Sequence, residues 1–186
     1  MKKNNAGMSI VEVVIMVAII AILSGTGIYG LGQLGGFRAR EGADSIASSL
    51  TEARITMLGK AKSNGNIAWE IYNDDGRCYV RTVYNVGSGE YYSDAKAIVD
   101  AKVKVTFGTG TLDSSNNSVN ASGTPTELQD GYAYRIYFNR STGALCDSDG
   151  SEISNDQYFR VAQGSKDYDV FIVAKTGKII TQSIKK

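Results

Sequence analysis

The chain has 186 residues, enough for one domain with its own core, and 42% hydrophobic with 21% charged residues is the make-up of a globular protein. With 20 basic and 19 acidic residues the formal charge is +1, so no global field draws in nucleic acid or an acidic membrane face. Histidine is absent, which closes Ser-His-Asp and Cys-His catalysis, imidazole-ligated zinc and the usual neutral-pH proton shuttle.

Residues 1–7 (MKKNNAG) are polar and hold two lysines, and from Met8 the sequence turns apolar. Between Met8 and Phe37 the only charged residue is Glu12. Residues 13–23 (VVIMVAIIAIL) are wholly apolar, and 24–34 extend them past the ~20 residues that cross a bilayer as a helix. The lysines beside the span favour a cytoplasmic N-terminus and an exported C-terminal part. Three readings meet here: a secretory signal peptide cut near Ser24 to Gly27, a plain membrane anchor, and a processed assembly subunit. Glu12 counts against the first two, because a carboxylate in an apolar helix is costly to insert and marks a function. The third accounts for leader, glycine and glutamate together.

The segment GMSIVEVVIMVAIIAIL resembles the class III signal of type IV prepilins and pseudopilins. That resemblance implies cleavage after Gly7 by a prepilin peptidase, N-methylation of the new terminal residue Met8, and a role for Glu12 in assembly. Methionine stands at position 8 where that family most often has phenylalanine, and the mid-helix proline of many pilins is missing. Gly25, Gly27, Gly30 and Gly32 are then the places where such a helix would be weakest, at about 1 kcal/mol each.

Further along, Ala43, Ile46, Leu50, Ala53, Met57 and Ala61 recur at spacings of three and four, one stripe of a helix that stops near Asn64-Gly65. Alternating β-type runs follow at 67–73, 77–86, 102–107, 132–139, 158–163, 169–175 and 178–184. Turn residues at 73–76 and 176–177 predict two hairpins, and 139–143 a third. Residues 108–126, drawn almost wholly from Gly, Ser, Thr, Asn and Pro, read as an exposed loop that could be glycosylated. The expected fold class is α+β and pilin-like, with a long N-terminal helix, apolar in its first half and amphipathic in its second, packed on an antiparallel β-sheet domain. The expected parts are a leader at 1–7, a transmembrane or filament-core half-helix at 8–36 and an exported domain at 37–186. Ala53-Arg54, Trp69 and the run 170–180 are also similar to H-type minor pseudopilins of secretion systems.

Among other candidates, Cys78 and Cys146 form an even pair beside β-type runs, and both a disulfide and two separate thiols fit the sequence. Asp147 and Asp149, with Ser151 and Glu152, offer oxygen ligands to calcium, but the glycine is misplaced for an EF-hand loop and a solvated turn fits as well. Lys175, Lys178, Lys185 and Lys186 make the end of the chain basic, without the Arg-rich or aromatic-interleaved pattern of a nucleic-acid surface. Trp69 and the tyrosines read as core or interface packing.

The expectation is therefore a non-enzymatic structural subunit of a type IV pilus or pilus-like secretion or DNA-uptake filament, with no cofactor. Its implied partners are other pilin subunits, the prepilin peptidase, an inner-membrane assembly platform and membrane lipid. It would start as a single-pass precursor in the cytoplasmic membrane and end in an extracellular filament at the cell surface. The alternative is a membrane-tethered extracytoplasmic binding domain that does not polymerise.

Overall fold

Apolar residues spaced for a helix give way near residue 60 to alternating runs, and the computed structural model follows that change. It describes residues 10–59, 67–99, 102–113, 118–164 and 166–184, and the side chains of all these except 23–35, 113, 118 and 121. The helix α1 covers Ile10–Gly59, with its side chains described in two short stretches, 10–22 and 36–59. The strands are β1 (Ile67–Asp74), β2 (Arg77–Tyr84), β3 (Tyr91–Tyr92), β4 (Lys96–Ala97), β5 (Lys104–Asp113), β6 (Ser118–Glu127), β7 (Ala133–Phe138), β8 (Leu145–Cys146), β9 (Asp156–Gln163), β10 (Lys166–Val173) and β11 (Lys178–Ile184).

The strands form two antiparallel sheets. The first runs β3-β2-β1-β7-β8, with β4 also paired to β2, and the second runs β11-β10-β9-β5-β6. Asp75 (φ 49°) and Gly76 (φ 73°) make the two-residue turn between β1 and β2, where positive φ at both positions matches the twist of the strands. The helix stripe behaves as its spacing predicts. Ala43, Ile46, Leu50, Ala53 and Met57 are all buried, joined by Ala39, and pack chiefly on β9, β10 and β11. Ala61 and the expected stop at Asn64-Gly65 lie outside the described residues. Burying side chains the size of Ile46, Leu50 and Met57 contributes roughly 2 kcal/mol each. Beside the helix the two sheets meet directly, Trp69 edge-on to Phe159 (5.3 Å) and Tyr134 against Phe107 (4.0 Å).

Residues 108–126 are not a loop. Most of them form the hairpin of β5 and β6, with a bulge between Phe107 and Thr109. Backbone pairing to β5, itself paired to β9, supplies what the Ser, Thr and Gly side chains of β6 lack in burial.

The pilin-like α+β expectation, with a long apolar-then-amphipathic helix on one antiparallel sheet, is overturned. The described chain is mostly β, in two antiparallel sheets. The core shows the reason: α1 gives it six small or medium residues, and strands with their turns give the rest, including Trp69 and Phe159. The transmembrane half-helix at 8–36 and the single-pass membrane precursor are corrected as well. Among the described residues no helix is long and apolar enough to cross a membrane. The stretch 36–59 carries Arg38, Arg40, Glu41, Asp44, Glu52 and Arg54. Placement in a membrane and then in a cell-surface fimbrium has no support in this architecture.

Candidate assembly surface and its anchorage

Apart from Glu12, the stretch 10–22 is apolar on every side. Its large side chains run from Ile10, 83% exposed, to Val13, 46% exposed, with no face turned to the body of the protein. Glu12 is the one ionisable residue in this stretch and is also exposed. A helix that is hydrophobic all round is the signature of an element meant to be surrounded. Gly7 and Met8, the expected cleavage junction, lie outside the described residues.

The stretch 36–59 ties this surface to the body. Besides its apolar stripe it makes polar attachments to the strands and turns, among them an exposed ion pair of Glu52 with Lys96 (3.7 Å). The Trp69 Nε1–H donates to Ser49 Oγ (2.8 Å), so the buried indole is satisfied by the helix it packs on. Arg54 reaches two turns of the strand body: its Nε donates to the Gly143 carbonyl (3.0 Å) and its Nη2 to the Thr176 carbonyl (2.8 Å).

The remaining predicted sites are scattered. Cys78 on β2 and Cys146 on β8 are buried free thiols. β1 and β7 lie between their strands, which puts the two backbones roughly 14 Å apart at ~4.8 Å per strand, beyond disulfide reach. The considered pairing is therefore not made. Burial pushes each thiol up to about 11, with Asp147 and Glu152 adding to the effect at Cys146. Asp147 Oδ1 accepts the amides of Asp149 (3.0 Å) and Ser151 (2.9 Å), so this carboxylate closes a turn. Among the described residues no three of Cys, Asp and Glu are grouped so as to hold a metal ion. Lys175 and Lys178 are exposed at the turn between β10 and β11, and Lys185 and Lys186 lie outside the described residues.

No family model, curated protein or solved structure matches the chain. The resemblance to type IV prepilins, pseudopilins and H-type minor pseudopilins is corrected accordingly. It rests on a short N-terminal motif and loose later positions, and the architecture behind them is a different one.

Two polar clusters were missed by sequence reasoning. On the face of the first sheet away from the helix, Glu70, 1% exposed, accepts from Arg81 Nε (2.6 Å) and Arg135 Nε (2.7 Å). The two terminal nitrogens of Arg135 hold Glu90 at 3.0 Å each, and Arg81 lies between the rings of Tyr72 and Tyr92. On the second sheet Arg160 grips the wholly buried Asp169 with two bonds, 2.9 and 3.0 Å. Burial raises the Asp169 carboxyl, and the Arg160 guanidinium partly opposes this. One signal was available: a glutamate inside the apolar run IAWEIY needs cations from neighbouring strands. Which arginines those were depended on register, Glu70 opposite both Arg81 and Arg135.

Proposed function

We propose that this chain is a structural, non-catalytic subunit of a helical filament, assembled through the N-terminal stretch of α1. One observation carries the reading: residues 10–22 are apolar and exposed on all sides while α1 continues into a firmly anchored second stretch. A single partner helix covers only one stripe of such a surface. Several neighbours are needed to cover it all, and a bundle at the centre of a filament provides them. Glu12 sets the axial offset in this arrangement, since a charge carried into a packed bundle has to meet a fixed partner. Removal of residues 1–7 after Gly7 belongs to the same proposal. The absence of histidine, and the engagement of the buried carboxylates Glu70 and Asp169 by arginines, support a non-catalytic role.

The test is a double variant, Val14→Cys with Met16→Cys, whose thiols point about 200° apart on the helix. Mild oxidation of assembled material should give a ladder of covalent multimers on a non-reducing gel. Dimers alone, or monomers, would overturn the reading.

A further inference from the structure

The turn joining β7 to β8 and the turn joining β10 to β11 belong to different sheets, yet they touch. Gly143 (φ 71°) and Gly177 (φ 62°) face each other there, both in the left-handed region. A β-carbon on Gly177 would overlap the Gly143 carbonyl oxygen. Beside them the Leu145 amide donates to the Ala174 carbonyl (2.8 Å), a direct backbone bond between the two sheets. The Arg54 guanidinium lies over both glycines. A β-carbon on Gly143 would come within 2.8 Å of its Nη2, and one on Gly177 within 2.7 Å of its Nε. From this position it donates to one carbonyl of each turn.

We propose that Arg54 is a latch that makes the two turns and the second stretch of α1 open and close as one unit. Three features support it. The bonded carbonyls come from two sheets and the donor from a third element, so neither bond is local to one hairpin. The two acceptors are met by two different nitrogens, Nε and Nη2, of one planar guanidinium, a fixed spacing that a lysine ammonium on a flexible stem does not reproduce. Left-handed glycines at both turns remove the β-carbons that would keep the guanidinium out. The latch is independent of whether the stretch 10–22 assembles.

Amide hydrogen exchange on the full chain tests it. In Arg54→Ala the amides of Gly143, Leu145 and Gly177 should exchange faster together, by at least about tenfold, as two charge-assisted bonds are lost. The amide of Gly150, bonded within its own turn to Asp147, should be unchanged. Arg54→Lys should behave like Arg54→Ala, and millimolar guanidinium, but not sodium, should slow the three amides again in the alanine variant. Different factors at the two turns, equal acceleration at Gly150, full protection by lysine or no rescue by guanidinium would each overturn the proposal. If Arg54→Ala does not fold, the lysine variant decides.

Discussion

Arg135 holds Glu90 by both of its terminal nitrogens while its Nε reaches Glu70, so one guanidinium spans a surface carboxylate and a buried one. Bonds from Arg135, the Gly87 amide and the Tyr92 hydroxyl draw the Glu90 carboxyl down to about 2 from its ordinary 4.5. A depressed folded value means stability that is complete above pH 4.5 and is lost as pH falls toward about 2. Glu90→Gln should flatten that slope. Thermal melts of both proteins across the acid range check it, and parallel slopes would refute the pairing.

Glu70 poses a harder demand, because Arg81 and Arg135 both point at it inside the sheet face. Glu70→Gln keeps the shape and removes the charge, leaving two guanidiniums without their shared anion. The expected loss is roughly 3 kcal/mol, at the lower end for a broken buried pair because the arginines are only half-buried. Urea midpoints measure it, and a change below about 1 kcal/mol would place the cluster among weak surface pairs.

Gly177→Ala should cost more than any other glycine substitution in a turn named here. It combines left-handed strain of about 1–2 kcal/mol with overlap on the Gly143 carbonyl. Gly150→Ala shares the positive φ (87°) but meets nothing within 4 Å. The two melting temperatures should differ by several degrees, and equal values would remove the close approach.

With both thiols buried and pushed up to about 11, native protein should react with neither cysteine on the timescale that modifies a free thiol. Unfolded protein should react at both. A reducing agent should leave the melting temperature unchanged. A shift on reduction would show a disulfide after all.

Glu12→Val should leave the melting of the body unaltered, since residue 12 lies outside its core, while ordered assembly falls by at least about tenfold. Sedimentation of assembled against unassembled chain reads the difference. Undiminished assembly would remove Glu12 from the interface.

Several elements were legible from sequence because local chemistry and final environment agree. The hairpin of β10 and β11 alternates inward and outward residues and turns on Thr176-Gly177, and β11 occupies 178–184 as expected. The helix stripe from Ala43 to Met57 was equally plain. What failed depended on partners distant in the chain. β6 is polar and rich in turn residues, and only its pairing to β5 makes it a strand. The two-sheet layout rests on contacts such as Trp69 with Phe159, ninety residues apart, which periodicity cannot encode. At the candidate surface the apolar run was visible, whereas the Arg54 attachment needed two turns from different sheets to converge.

Trp69 is the chain's single tryptophan, wholly buried, bonded to Ser49 of the helix and edge-on to Phe159 of the opposite sheet. Its intrinsic fluorescence therefore reports on one joint alone, the place where helix and both sheets meet. The native emission should be blue-shifted and poorly quenched by iodide. Any partner or ligand that pries α1 from the sheets would announce itself as a red shift, with no added label.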